Sequence, residues 1–153
     1  MNKKTELLID IGKMICIFLA TTVIFSKVLM FIQVQGRSMF PTMNDGEYGF
    51  ALRTDLNLKP IERFQIVVVE QDDKLLVKRV IGLPGETVQF KDNTLYINGE
   101  VVPEAFLENA VTSDFEATVS ENGYFVMGDN RNHSLDSRKY GAFQKEKIKA
   151  ILL

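Results

Sequence analysis

Two hydrophobic patterns divide this chain. From Leu7 to Ile32 apolar residues run almost without a break, with Asp10 and Lys13 near the start and Lys27 near the end. Beyond Ile32 the apolar residues come in short alternating or β-branched runs, separated by Gly, Pro, Asn and Asp. The first pattern predicts a helix exposed to lipid. The second predicts an all-β domain of short strands.

The uncharged centre of the first run, Met14 to Ser26, is short for a bilayer crossing, which takes roughly 20 residues. It suffices if Lys13 and Lys27 lie at opposite interfaces and snorkel outwards. The rise between them is roughly 21 Å at about 1.5 Å per residue. Residues 7–31 are therefore predicted as one transmembrane anchor, with 1–6 as a short tail. Lys3, Lys4 and Lys13 cluster before the apolar centre, so the positive-inside rule puts the N-terminus in the cytoplasm and the remainder outside. A cleavable leader would need a small-x-small site after the run, and Phe31-Ile32-Gln33-Val34-Gln35 stands there instead. A buried core helix is the third reading of the same run.

In the domain, 32–153, the alternation of Ile32-Gln33-Val34-Gln35 predicts a strand, and Tyr48 to Leu52 its return across the turn at Asn44-Asp45-Gly46-Glu47. Ile66-Val67-Val68-Val69 predicts a strand buried on both faces. It turns at Gln71-Asp72-Asp73-Lys74 into Leu75 to Gly82. Val88 to Phe90 and Thr94 to Asn98 form a further predicted hairpin, and Asn98-Gly99 is a type I′ turn signal. Between Pro103 and Asn122 the pattern is weak and is read as loop. Residues 87–123 form a reduced insert. Tyr124 to Met127 and Ile148 to Leu153 are the remaining strands, and Gly128 to Tyr140 is a polar loop.

Composition changes this picture little. An apolar fraction of 46% and a charged fraction of 25% suit a folded domain. A net charge of −2 speaks against a nucleic-acid partner. One cysteine, Cys16, rules out an intramolecular disulfide.

Three stretches carry candidate chemistry. In Gly36-Arg37-Ser38-Met39-Phe40-Pro41-Thr42-Met43 a hydroxyl sits in a loop stiffened by proline. In Val77-Lys78-Arg79-Val80-Ile81 two basic residues occupy opposite faces of an apolar strand. A lysine turned inwards loses charge to desolvation and can take a proton from serine; a solvated edge strand would need no such explanation. In Gly128-Asp129-Asn130-Arg131-Asn132-His133-Ser134-Leu135-Asp136-Ser137-Arg138, acids, amides and arginines crowd together, a pattern suited to bidentate locking of a loop. His133 is the only histidine. A His-based site would rest on it alone, and a metal site would draw its other ligands from carboxylates.

Taken together and in this order, the stretches resemble the serine, lysine and C-terminal motifs of type I signal peptidases. The resemblance covers nearly the whole chain. It implies a mainly β catalytic domain behind one anchor, a cell-membrane location, no cofactor, and removal of signal peptides from secreted preproteins. It implies Ser38 as nucleophile and Lys78 as general base, with Ser134 hydrogen-bonded to the lysine amine. Asp129, Arg131, Asp136 and Arg138 would brace the loop, with Arg79 paired to one of its acids. Ile32, Val34, Met43 and Val77 match wall positions of the substrate pockets. The signal peptide would lie along the strands near Val34 and Leu76-Val77. The Ser38 backbone N–H would serve the oxyanion hole. The position of a side-chain hydroxyl donor in some members is Gly36, as in the Gram-positive branch. Met39 and Phe40 would dip into the lipid surface.

The sequence departs from the family pattern in four places. Arg63-Phe64-Gln65 stands where Gly-Asp is usual, and His133 where a small polar residue is common. The insert is minimal, and the chain stops at Leu153, within what would be the last strand of longer relatives. Two rival readings follow. One is a signal-peptidase-like protein dedicated to pilin or surface-fibre assembly, as a processing enzyme or a non-catalytic chaperone. The other is a self-cleaving repressor of the DNA-damage response, against which the anchor and the length both count.

Overall fold

A computed structural model describes residues 2–107 and 110–153. Met1 of the predicted tail and positions 108–109 of the predicted insert lie outside the described residues. Helix α1 runs Lys3–Val28, and the Asn2 side chain caps it by accepting from the Lys4 N–H. None of its residues is buried, and its mean hydropathy over 18 residues is 2.1. By length and composition it can cross a membrane.

The helix ends three residues before the anchor boundary expected at 31. Strand β1 (Leu29–Gln33) begins at once and pairs antiparallel with β2 (Tyr48–Arg53), Leu29 opposite Leu52 and Gln33 opposite Tyr48. The strand expected at Ile32–Gln35 is thus shifted towards the anchor. The ladder to β2 satisfies backbone groups that would otherwise extend the helix. Val34 lies just past the strand but keeps the hairpin closed: its N–H donates to Glu47 O and its carbonyl accepts from Gly46 N–H, both at 2.8 Å.

The other strands are β3 (Ile66–Gln71), β4 (Lys74–Gly82), β5 (Thr87–Lys91), β6 (Thr94–Ile97), β7 (Glu100–Val101), β8 (Phe115–Thr118), β9 (Gly123–Met127), β10 (Phe143–Gln144) and β11 (Ile148–Leu152). They make a seven-stranded sheet, β1-β2-β11-β3-β4-β9-β10, and a four-stranded sheet, β7-β6-β5-β8. The chain is mainly antiparallel β with one apolar N-terminal helix. The weakly patterned stretch from Pro103 to Asn122, read as loop, contains β8, whose place is set by pairing with β5, while β7 returns beside β6. Asn98 and Gly99 both have positive φ, as a type I′ turn requires.

β3 is buried on both faces, as its unbroken β-branched run predicts. Val67 and Val69 pack with Val80, Val126 and Ile148, while Val68 packs with Ile32, Ala51 and Ala150. β11 is an interior strand between β2 and β3. A further core of Ile81, Val88, Phe90, Leu95, Phe125 and Met127 ties the small sheet to the large one.

Candidate active site

The Ser38 loop lies beyond the end of β1 and meets β4 from the side. Lys78 Nζ is 2.7 Å from Ser38 Oγ and donates to the Val77 carbonyl at 2.8 Å. Lys78 is only 2% exposed. Burial lowers its pKa from 10.5 to about 8, with the Asp136 and Asp129 carboxylates pulling the other way. Its neighbour Arg79 is also buried, so β4 carries two inward basic residues where the sequence reading required one. Each finds a different solution: the lysine is desolvated, and the arginine is paired.

Arg79 clasps Asp129 through Nε to Oδ1 at 2.9 Å and Nη2 to Oδ2 at 2.6 Å. It also donates to the Phe64 carbonyl at 2.8 Å. Thr42 donates its hydroxyl to Asp129 Oδ2 at 2.5 Å, bringing the serine loop onto the same carboxylate. Asp136 receives Arg138 Nε and Nη2 at 2.9 and 2.8 Å and the Gly128 N–H at 2.9 Å. Burial would raise the Asp136 carboxyl, but these donors hold it below its ordinary value. Asp136 also caps α2 (Ser137–Tyr140), and Ser137 Oγ accepts from Val126 N–H at 2.9 Å. The loop is therefore locked by its own acids, as bidentate Arg–carboxylate geometry allows.

Ser134 is placed differently from the expectation. Its hydroxyl is buried and helps to lower Asp136, yet it has no partner that meets hydrogen-bond geometry. The bond expected between Ser134 and the lysine amine is not made: Nζ meets Ser38 Oγ and the Val77 carbonyl, and the Ser134 hydroxyl is turned towards Asp136. Gly128 brings the two loops close. A Cβ on it would stand 2.2 Å from Ser134 Oγ and 2.5 Å from Ser38 O.

Asn130 completes the loop contacts. Its backbone N–H donates to Ser38 O, and its side-chain amide to Arg37 O, both at 3.0 Å. Holding the Arg37 carbonyl fixes the 37–38 peptide plane. Because the peptide is trans, the Ser38 N–H then points the opposite way, and it makes no hydrogen bond among the described residues. Gly36 has φ +84°, and its N–H is taken by Asp45 Oδ1 at 2.7 Å.

Of the residues expected to wall the substrate pockets, Val34 and Met43 cluster with Met39, with Val77 packed against them; Met39 is thus fully buried rather than at the lipid surface, and only Phe40 of that expected pair is exposed. Ile32 lies in the adjoining cluster, which Val77 also touches. Leu76 packs instead against the Val67 and Val69 cluster. Leu76 therefore borders the expected peptide path through its backbone, because neighbouring strand side chains face opposite ways. β4 runs past its partner on one side: β9 pairs only from Arg79 onwards, while β3 pairs from Lys74. Lys74 to Lys78 therefore keep one ladder edge unpaired by β9.

Sequence reasoning missed a strap from the insert. Glu104 holds Arg131 through Nη2 at 2.5 Å and Nη1 at 3.1 Å, and Thr112 Oγ1 accepts from the same Nη1 at 2.9 Å. Two residues on, the Phe106 ring lies 4.1 Å from the Arg79 guanidinium and 4.9 Å from the Phe64 ring. Phe64 has φ +67°, a conformation that favours glycine, in the stretch where Gly-Asp is usual. Its only local signal is that departure. His133 is exposed, its Nδ1 3.1 Å from Asn130 Oδ1. Among the described residues no group of His, Cys, Asp and Glu could hold a metal.

The sequence matches the family model described as "Signal peptidase, peptidase S26" over residues 8–152. It is 46% identical over 129 residues to signal peptidase I of Bacillus licheniformis, covering 75% of this chain and 69% of that one. It is 40% identical over 151 residues to signal peptidase I T of Bacillus subtilis strain 168, covering 90% and 78%. The crystal structure of a signal peptidase I from Enterococcus faecalis V583 superimposes with a TM-score of 0.58 at 37% identity, covering 62% of this chain and 98% of that one.

Proposed function

Because the chain belongs to the S26 signal peptidase family, we propose that Ser38 is its nucleophile and Lys78 its general base. The family makes it a membrane-bound serine endopeptidase that removes signal peptides from preproteins. The observation that carries the residue assignment is the 2.7 Å approach of a desolvated lysine amine to a serine hydroxyl.

With the amine neutral, the Ser38 O–H donates to Nζ. Oγ attacks the scissile carbonyl carbon as the proton passes to Lys78. The tetrahedral oxyanion takes the Ser38 N–H, whose direction Asn130 supports. Lys78 returns the proton to the leaving amine nitrogen as the C–N bond breaks. Water then attacks the acyl-enzyme, again losing its proton to Lys78, and Oγ leaves with a proton. Arg79–Asp129 and Arg138–Asp136 hold the loop that holds Ser38. Arg131 carries the same loop to the insert.

The substrate adds to the unpaired edge of β4 beside Val77, with Val34 and its neighbours opposite. Val34, Met43, Ile32 and Val77 wall the pockets. The N-terminus faces the cytoplasm and the β domain lies outside, on the lysine bias at Lys3, Lys4 and Lys13. Lipid is a partner on one further ground. Phe31, Tyr48 and Phe50 are each more than half exposed directly beyond the helix; Phe31 stacks on Tyr48 at 5.3 Å between ring centroids and meets Phe50 at a tilt at 5.4 Å. Such rings favour the membrane interface. Substrates drawn from pilins or a secretion machinery would use the same dyad. The meeting of Ser38 with Lys78 favours a processing enzyme over a chaperone.

The test is cleavage of a preprotein by the full chain in detergent micelles. Ser38→Ala and Lys78→Ala are each expected to lose activity by about 1000-fold or more. Full activity in either variant would overturn the dyad.

A further inference from the structure

A cleft remote from the dyad opens where the β domain meets the anchor. It has a volume of about 510 Å³, and Met30, Arg53, Asn57, Lys145 and Lys149 are among its lining residues. That volume suits a small polar ligand. None of the lining residues belongs to the Ser38 loop, to the Lys78 segment or to the Gly128–Arg138 loop.

Arg53 is the unusual member. Its Nε is buried and without a partner. Neither its guanidinium nor the Lys145 ammonium has an ion-pair partner among the described residues. A buried donor on a charged group costs free energy unless an acceptor meets it. Lys149 is already held by Glu70 at 2.8 Å, so Arg53 and Lys145 are the cations left over.

The position of the cleft selects the anion. Leu29, the first residue after α1, pairs with Leu52. Arg53 is one step further towards the anchor, and Met30 is two residues past its end. With Lys3–Val28 in the bilayer, these residues lie at the depth of the headgroups. Asp55 and Glu146 also line the cleft and are exposed, so with Lys149 held by Glu70 two free cations stand beside two solvated carboxylates. A site without a large positive excess suits a single phosphate and disfavours a polyanion.

We infer that this cleft binds the phosphate of a membrane phospholipid headgroup, with Arg53 as the principal donor and Lys145 beside it. The fork of a guanidinium matches phosphate oxygens in two parallel hydrogen bonds. The bound lipid would brace the anchor against β2 and β11 and so hold the catalytic face at one height above the bilayer. The inference rests on the membrane reading of α1 and not on the identity of the dyad.

The experiment is native mass spectrometry of the full chain from detergent micelles, with phosphatidylglycerol and with diacylglycerol of the same acyl chains. Wild type is expected to retain one phosphatidylglycerol with about tenfold preference, the size of a charged hydrogen-bond contribution. Arg53→Gln should remove that preference and Lys145→Gln should reduce it, while Lys91→Gln on the small sheet should leave it intact. Ser38→Ala should bind lipid as wild type does while losing cleavage, which separates this site from the proposed catalysis. Equal retention of diacylglycerol would overturn the inference. So would full phosphatidylglycerol binding by an Arg53→Gln protein that still cleaves, or occupation by inorganic phosphate in preference to the lipid.

Discussion

Lys78 is destabilising where it stands. Its pKa falls from 10.5 to about 8 through burial, against the pull of Asp136 and Asp129. A fall of that size corresponds to about 3 kcal/mol. Below pH 8 the lysine is charged in both folded and unfolded chains, and the full penalty applies. Between about 8 and 10.5 the unfolded chain binds more protons, so stability rises with pH. Lys78→Met, which keeps the volume without the charge, should therefore unfold at higher urea at pH 7, by up to about 3 kcal/mol. That advantage should shrink as the pH passes through 8 towards 10.5. Urea titrations in micelles, followed by circular dichroism, measure it. As the proposed base, the same residue would set the activity profile. As the base must be neutral, kcat/KM should rise about tenfold per pH unit up to roughly 8 and then level off. A profile flat down to pH 5 would exclude lysine as the base.

At the scale of elements, the catalytic loop depends on a segment without secondary structure. Residues 103–107 join the small sheet to the loop directly through Glu104 on Arg131 and indirectly through Phe106 on Arg79, the β4 residue that clasps Asp129. The Arg131 side chain is only 1% exposed, so removing its carboxylate partner leaves a buried unpaired charge, at a cost of about 3 kcal/mol or more. Glu104→Ala is expected to lower stability by about that amount and to reduce kcat more than KM, since the loop holds Ser38 rather than the substrate. Glu104→Gln keeps the hydrogen-bond acceptor and should recover part of both losses. Steady-state kinetics beside urea titrations read the two effects. A Glu104→Ala protein with unchanged kcat would make the strap a matter of stability alone.

At the scale of the whole molecule, the apolar surface of α1 continues onto the domain through one hairpin. α1 leads without a linker into β1, and the exposed rings of Phe31, Tyr48 and Phe50 continue the apolar surface onto the sheet. Phe31→Ser with Phe50→Ser is expected to leave peptide cleavage in detergent near wild type. In vesicles it should slow cleavage of an anchored preprotein several-fold, because shared anchoring sets the effective concentration there. Comparing the two rates on one preparation measures it. An equal effect in both media would locate the role of these rings in folding instead.

Much of this was legible in the sequence. An apolar run flanked by lysines, β-branched strands punctuated by turn residues, and three motifs in order are local or near-local signals, and they determine the anchor, the β class and the residues worth testing. Other features depend on packing between segments distant in sequence. The end of α1 moved to Val28 because β2 offers a ladder to the next residues. Both basic residues of β4 are buried because the Gly128–Arg138 loop closes over them. Leu76 and Val77 face different cores because strand alternation turns neighbouring side chains apart. Glu104, Thr112 and Phe106 carry no motif, and only tertiary contact brings them to Arg131 and Arg79. The sequence determined which groups the chain has for its chemistry. The fold decided which of them are desolvated, paired or left without a partner, because burial and hydrogen bonding are properties of neighbours that local pattern does not encode.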